Sequence, residues 1–142
     1  ILGEGSLREE LENKIKLLKL ENKVLLKGAV NNIDEWFEKA SIFLFSSKNE
    51  GFPNALAEAM ISGIPSISYD CETGPNELID NNLNGFLIKL NDKENFTKKI
   101  DLLLEKEELR NKFAIESKKL AFKLNEELIT DKYLNFCLEC TK

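Results

Sequence analysis

Short apolar runs alternate along the chain with segments in which apolar residues recur every three or four positions. The runs predict strands at 24–27, 41–45, 64–69 and 86–90, with Ile1 and Leu2 as the end of an earlier strand. The periodic segments predict helices at 7–20, 33–40 and 76–79, one that begins near Pro53, and three more at about 93–105, 107–121 and 125–139. Strands that alternate with helices favour an α/β fold, with a parallel sheet covered by helices on both faces.

Two local patterns sharpen these expectations. Ser6 followed three positions later by Glu9 is typical of a capping box, so the first helix is expected to begin directly after Ser6. The run at 41–45 continues without a polar residue after Ser41, which predicts a strand buried on both faces.

Length and charge limit the classes of function. A chain of 142 residues can form one domain with a sizeable core, and its 42% hydrophobic and 32% charged residues are typical of a globular protein. The net charge of −5, with Lys and Arg spread through the helical segments, argues against nucleic acid as a partner. Apolar runs are too short for a membrane span, and no signal peptide is recognisable, so a cytoplasmic location is expected.

The first residues and the cysteines lead to two further predictions. The chain opens inside a predicted strand at Ile1 and without an initiator Met, so we expect it to be a fragment of a longer protein. Cys137 and Cys140 have CxxC spacing, but the chain has no His and no second ligand pair. Two thiols on a C-terminal helix are favoured over a zinc or redox site.

In a parallel α/β sheet, ligands bind where loops leave the carboxyl ends of strands and lead into helices. The loop from Ser46 to Asn54 stands out, because Gly51 and Pro53 allow a sharp turn from a strand into a helix. The helix start favours a phosphate group, with the backbone amides of Asn54 and Ala55 as donors.

Two glutamates flank this helix start. Glu58 is the one charge on an otherwise apolar helix, where an unpaired buried carboxylate would be costly, so a partner, a ligand or a neutral form is expected. A carboxylate accepts two hydrogen bonds side by side, which suits a ribose diol, and Glu50 could bind a second sugar in the same way. Pairing of Glu58 with a nearby Lys, and simple solvation of Glu50, remain alternatives.

One stretch begins with Glu50-Gly51-Phe52-Pro53-Asn54, reaches Glu58 and is followed by Gly63-Ile64-Pro65. It resembles the Glu-x7-Glu signature of retaining glycosyltransferase family 4, the group 1 glycosyltransferases. Four further segments are similar to family motifs in the same order. They are Gly3-Glu4-Gly5-Ser6-Leu7, Gly28-Ala29-Val30, the loop Thr73-Gly74-Pro75-Asn76-Glu77-Leu78-Ile79, and the turn Asn84-Gly85-Phe86-Leu87. The resemblance covers nearly the whole chain.

The resemblance implies a GT-B fold, of which residues 1–142 would be the C-terminal, Rossmann-like domain that binds the nucleotide-sugar donor. It implies that Glu58 holds the donor ribose and that Glu50, as the catalytic residue, holds the transferred sugar. The other substrate-binding residues implied are Gly51, Phe52, Asn54 and Ala55 at the sugar and diphosphate, and Ala29 and Val30 at the base. No metal or other cofactor is implied.

The function implied is transfer, with retention, of a hexose or N-acetylhexosamine from a nucleoside diphosphate, UDP being favoured. The acceptor would be a glycan or a lipid-linked glycan in surface polysaccharide synthesis, held by an N-terminal domain that these residues do not include. The resemblance places the Arg and Lys for the diphosphate ahead of Ile1, so the isolated chain is expected to be inactive. A non-catalytic nucleotide-sugar-binding module is the alternative, and peripheral attachment of the full-length protein to the inner face of the membrane stays open.

Overall fold

The computed structural model describes residues 1–140, which form eight helices and three strands. The helices are α1 (Arg8–Leu17), α2 (Ile33–Phe37), α3 (Asn54–Ile61), α4 (Pro75–Leu78), α5 (Lys93–Glu105), α6 (Glu107–Lys118), α7 (Leu120–Lys123) and α8 (Glu126–Cys140). The strands are β1 (Phe43–Phe45), β2 (Ser66–Asp70) and β3 (Gly85–Lys89). The chain divides into two compact units, Ile1–Trp36 and Phe37–Lys142. The expectation of one domain over residues 1–142 stays a prediction.

In the first unit, the predicted strands reduce to one parallel and one antiparallel bridge. Lys27 N–H donates to Ile1 O at 2.9 Å and Gly3 N–H donates to Gly28 O at 2.8 Å, which leaves isolated bridges rather than a ladder. The strand predicted at 24–27 is not formed among the described residues, where only Gly28 bridges to Leu2 and Gly3.

The start of α1 also differs from the prediction. Its N-cap is Leu7, and no side chain caps the helix. Arg8 N–H donates to Gly5 O at 3.1 Å, so the backbone turns once through Ser6 and Leu7 before the helix begins. That turn shifts the start of the helix one residue beyond the position that a capping box requires, and the predicted Ser6–Glu9 box is wrong.

The second unit contains a parallel sheet in the order β1-β2-β3. Leu44 pairs with Ile67, and Ile67 pairs with Phe86. The connections that a parallel pair requires are supplied by α3, between β1 and β2, and by α4, between β2 and β3. The α/β class and the parallel sheet are confirmed.

Helices cover both faces of this sheet. Phe86 and Ile88 of β3 pack in one cluster with Ile67, with Phe96 and Leu103 of α5, and with Phe113 of α6. Leu87, between them in sequence, packs instead against the cluster of Leu56, Ala57, Met60, Leu78, Ile79 and Leu120. Since alternate residues of a strand point to opposite faces, the two clusters lie on opposite sides of the sheet.

The strand at 41–45 is shorter and more exposed than predicted. β1 spans only Phe43–Phe45 and is an edge strand of the sheet, and Leu44 is 48% exposed. Phe43 and Phe45 pack against the α3 cluster, while Leu44 points to the face of Ile67, whose cluster does not extend to Leu44. The prediction that this strand is buried on both faces is wrong for that reason.

The C-terminal helices follow the predicted pattern, with a break at Lys119 that separates α6 from α7. Cys137 is half-buried and Cys140 is exposed on α8, and both are free.

Within residues 1–140 no helix has the length and apolar character needed to cross a membrane. The same residues contain no group of three or more Cys, Asp or Glu side chains that could hold a metal ion.

Candidate functional site

Two loops meet at the carboxyl end of the sheet. One follows β1 and carries residues 46–53, and the other follows β2 and carries residues 71–74. The Thr73 hydroxyl donates a hydrogen bond to the main-chain carbonyl of Glu50. This bond joins the loop that precedes α3 to the loop that precedes α4, so the two helix starts lie side by side.

Gly74 makes the contact between these loops possible. Its φ is +96°, and a Cβ atom added to it would lie 2.4 Å from Pro53 Cδ and 3.2 Å from Gly51 O. Pro53, Gly74 and Pro75 are all buried. A residue with a side chain would therefore strain its own backbone and push the α3 start away.

Thr73 and Gly74 were noted in the sequence only as part of a motif, and neither was predicted to be a site residue. Their role depends on a contact across 23 positions of sequence, which periodicity does not reveal. The Gly-Pro pair in the loop after a strand was the available signal, since it marks a backbone position with restricted conformation.

The start of α3 leaves several amides without partners. Asn54 N–H donates to Phe52 O at 3.0 Å, and Pro53 O accepts from both Leu56 and Ala57 at 3.0 Å. Within residues 1–140, the N–H groups of Gly51, Phe52 and Ala55 have no hydrogen-bond acceptor. The amide of Asn54 is thus engaged in the turn, contrary to the prediction that it is a free donor, whereas the Ala55 amide is open.

Glu58 lies on the exposed face of α3. Leu56, Ala57, Ala59 and Met60 are buried, while Glu58 is exposed, as are Asn54 and Ala55, which precede it by one helical turn. The expectation of a carboxylate surrounded by apolar groups is wrong, because the 3.6-residue period turns position 58 away from the core. Its carboxylate has no ion-pair or hydrogen-bond partner within the described residues.

Glu50 is half-buried in the loop that leads to α3. Its carbonyl is fixed by Thr73, but its carboxylate contacts no cation and no donor among residues 1–140. Phe52, two positions later, leaves 45% of its surface exposed. A half-buried carboxylate, an exposed aromatic ring and open amides at the start of a helix together provide groups that can bind a polar ligand.

Ala29 and Val30, predicted to line a base, belong to the first compact unit. They follow Gly28, which is buried and has φ +74°. Ala29 is exposed and Val30 is half-buried. Their role at a base stays a prediction.

Residues 1–120 match the model of the family Glycosyl transferases group 1. The chain belongs to this family. The matched region includes both compact units up to α7 and contains Glu50, Glu58 and the loop of Thr73. The expected group 1 glycosyltransferase family is confirmed, whereas the assignment to retaining family 4 stays a prediction.

Two curated relatives are named as glycosyltransferases. The amylovoran biosynthesis glycosyltransferase AmsD of Erwinia amylovora is 32% identical over 133 residues, which are 94% of this chain and 37% of that protein. The N-acetylgalactosamine-N,N'-diacetylbacillosaminyl-diphospho-undecaprenol 4-alpha-N-acetylgalactosaminyltransferase of Campylobacter jejuni is 33% identical over 138 residues, 97% of this chain and 38% of that protein. The chain thus spans less than two fifths of the length of these relatives.

The fold is that of glycosyltransferases of the GT-B class. A crystal structure of S. aureus TarM, a mutant in complex with fondaparinux, alpha-GlcNAc-glycerol and UDP, matches with a TM-score of 0.89 and 30% identity. The match covers 95% of this chain and 28% of TarM. The expectation of a C-terminal, Rossmann-like half of such an enzyme is confirmed.

Proposed function

We propose that this chain is the donor-binding part of a retaining enzyme of glycosyltransferase family 4. The enzyme transfers a hexose or an N-acetylhexosamine from a nucleoside diphosphate, with UDP favoured. The acceptor is a glycan or a lipid-linked glycan in the synthesis of surface polysaccharides or glycoconjugates. The reaction takes place in the cytoplasm, where nucleotide-sugars are available, and needs no metal at the diphosphate.

The arrangement of α3 and its loop is the observation that carries this proposal. Three amides without acceptors lie at the N-terminal end of the helix, with an unpaired carboxylate on the loop and another one turn into the helix. The amides of Gly51, Phe52 and Ala55 suit the sugar and the diphosphate, because a helix N-terminus favours negative charge. The carboxylates suit hydroxyl pairs, since each accepts two hydrogen bonds side by side.

The places of the two glutamates in this arrangement support the roles proposed for them. Glu58 shares the exposed face of α3 with Asn54 and Ala55, and it binds the ribose diol beyond the diphosphate. Glu50 precedes the helix and binds hydroxyls of the transferred sugar. Ala29 and Val30 contact the base through their backbone and small side chains.

The proposed chemistry is substitution on one face of the sugar. The bond between the anomeric carbon and the diphosphate oxygen breaks, the acceptor oxygen forms the new bond on the same face, and its proton passes to the departing diphosphate. The helix amides and basic side chains from the rest of the protein stabilise the charge that develops on that leaving group. Glu50 orients the sugar and stabilises positive charge at the anomeric carbon as the bond breaks.

The relatives support this assignment of substrates. The C. jejuni relative is named for transfer to a sugar carried on diphospho-undecaprenol, and the S. aureus structure contains UDP. A lipid-linked acceptor and a uridine nucleotide are therefore the first substrates to test here.

The test is donor turnover by the whole protein. UDP release is measured with UDP-glucose, UDP-N-acetylglucosamine and UDP-N-acetylgalactosamine, for the wild type and for Glu50→Gln. One donor is expected to be consumed, and Glu50→Gln is expected to lower kcat by about 100-fold or more, because it removes a charge that acts in the transition state. The matched control is Glu108→Gln, on the exposed first turn of α6, which is expected to keep full activity.

Two results would count against the proposal. UDP binding without turnover of any donor, in the presence of a lipid-linked acceptor, would favour the non-catalytic binding module. Equal activity of wild type and Glu50→Gln would remove Glu50 from the reaction.

A further inference from the structure

The peptide group between Glu50 and Gly51 is held on one side and open on the other. Its carbonyl, which belongs to Glu50, accepts a hydrogen bond from the Thr73 hydroxyl. Its N–H, which belongs to Gly51, has no acceptor among residues 1–140. Because this peptide group is planar and trans, its carbonyl and its N–H point in opposite directions. The bond from Thr73 therefore sets the direction in which the Gly51 N–H points.

Gly51 needs such an external restraint. A glycine has access to a wider range of backbone conformations than any other residue. A Cβ atom added to Gly51 would meet nothing within 4 Å, so no other group packs closely at that position. The one close approach comes from the facing loop, where a Cβ added to Gly74 would lie 3.2 Å from Gly51 O. The conformation at Gly51 is thus restrained mainly by Thr73 and Gly74.

Thr73 is itself held by Cys71. The Cys71 thiol donates to the main-chain carbonyl of Thr73, with 3.6 Å between sulfur and oxygen. Cys71 directly follows β2 and is 2% exposed, whereas Thr73 is exposed. The carbonyl of Thr73 is therefore bonded to a buried side chain at the end of the sheet, while its hydroxyl reaches across to the other loop. Two hydrogen bonds in series connect Cys71 to the Gly51 peptide.

We propose that Cys71 and Thr73 are positioning residues that aim the Gly51 amide at the diphosphate of the nucleotide-sugar. This inference rests on the proposed function, because it adds a device to the same site. A hydrogen bond weakens steeply when its donor is misaligned, so a mobile Gly51 peptide would bind an oxygen of the ligand poorly. A peptide that is already fixed loses less freedom when the ligand binds, which raises the affinity. The bond to the Glu50 carbonyl also polarises the peptide and strengthens its N–H as a donor.

A purely structural role for Cys71 is the alternative, and Ser66 provides the matched control for it. Ser66 is 0% exposed, and its hydroxyl donates to Ile64 O at 2.9 Å. As in Cys71, a buried side chain thus bonds to a carbonyl two positions away in sequence. Ser66 is the first residue of β2, at the end of the strand opposite to Cys71. Loss of its hydroxyl is expected to affect stability alone.

The test is a double-mutant cycle in which the dissociation constant for UDP is measured by calorimetry. The whole protein is compared as wild type, Cys71→Ala, Thr73→Val and the double variant. Cys71→Ala is expected to raise the dissociation constant about two- to fivefold, the contribution of one weak S–H···O bond. In the Thr73→Val background it should cause no further rise, because the connection from Cys71 to Gly51 passes through Thr73.

Two further variants separate positioning from stability. Cys71→Ser keeps a hydrogen-bond donor at the position and should recover most of the affinity that Cys71→Ala loses. Ser66→Ala should lower the urea midpoint of unfolding and bind UDP like the wild type. The urea midpoint of each Cys71 variant verifies that the protein is folded under the conditions of the binding measurement.

Three results would overturn the proposal while the wild type still binds UDP. They are an unchanged dissociation constant for Cys71→Ala, an equal rise for Ser66→Ala, and independent effects of Cys71→Ala and Thr73→Val. Each of them leaves the proposed transfer reaction standing. A wild type that binds no UDP would instead contradict the proposed function, and this inference with it.

Discussion

Thr73 holds Glu50 in place through the main chain, because its hydroxyl donates to the Glu50 carbonyl from a loop 23 positions later. The bond leaves the Glu50 carboxylate free while it fixes the backbone that carries it. The contact of Gly74 with Pro53 supports the same junction from the next residue. The candidate site is thus built from two strand-to-helix loops that hold each other.

Replacing Thr73 by Val tests this junction. The free energy of unfolding is expected to fall by roughly 0.5–1.5 kcal/mol, the contribution of one such hydrogen bond, and the dissociation constant for UDP is expected to rise severalfold. Urea unfolding and calorimetry of the whole protein measure the two effects. Thr97→Val is the control, since the Thr97 hydroxyl donates to Lys93 O at 2.9 Å on α5. A matching rise in the UDP dissociation constant for Thr97→Val would show that the junction has no special role.

Gly74→Ala should destabilise the same junction more strongly. The added Cβ would lie 2.4 Å from Pro53 Cδ, and the φ of +96° is unfavourable for alanine. We expect a loss of more than about 1 kcal/mol in the free energy of unfolding. Gly51→Ala is a control from the facing loop, because a Cβ there meets nothing within 4 Å and its φ is not in the positive region. Equal urea midpoints for the two variants would contradict the described packing.

Asn84 is expected to be important for stability and not for catalysis. It is 4% exposed, its side-chain amide donates to Leu78 O at 3.0 Å, and its Oδ1 accepts from Asp80 N–H at 2.8 Å. Asn84→Ala leaves a buried carbonyl without its donor, so the free energy of unfolding should fall by about 2–4 kcal/mol. Asn111→Ala, at an exposed position of α6, should change it by less than about 0.5 kcal/mol. Thermal unfolding of both variants measures these two changes in the free energy of unfolding.

The parts of the fold that local pattern determines were predictable from the sequence. α5 spans Lys93–Glu105 as expected, since an apolar stripe continues through it and Asp92 caps its start by accepting from Asn95 N–H at 3.0 Å. The parallel strands β2 and β3 were also recognisable, because each is a short segment with apolar or aromatic residues and lies between helices in the chain. Local propensity and the final structure agree in these elements.

The wrong predictions concern burial and contacts that depend on residues distant in the sequence. The burial of a strand depends on what covers each face, and nothing in the run at 41–45 reveals that Leu44 faces away from the α3 cluster. The exposure of Glu58 could have been derived, because the helical period places it with Asn54 and Ala55 and opposite Met60. The bond from Thr73 to Glu50 could not, since it joins two loops that are remote in sequence.

The most direct test of the central claim is the affinity of the whole protein for UDP with and without the Glu58 carboxylate. Calorimetry is expected to show that Glu58→Gln raises the dissociation constant by about tenfold or more, because a charge-assisted hydrogen bond to the ribose contributes roughly 1.5–3 kcal/mol. Glu108→Gln, an exposed glutamate on α6, should bind UDP like the wild type. The same dissociation constant for wild type and Glu58→Gln, or no UDP binding by the wild type, would contradict the assignment of this site.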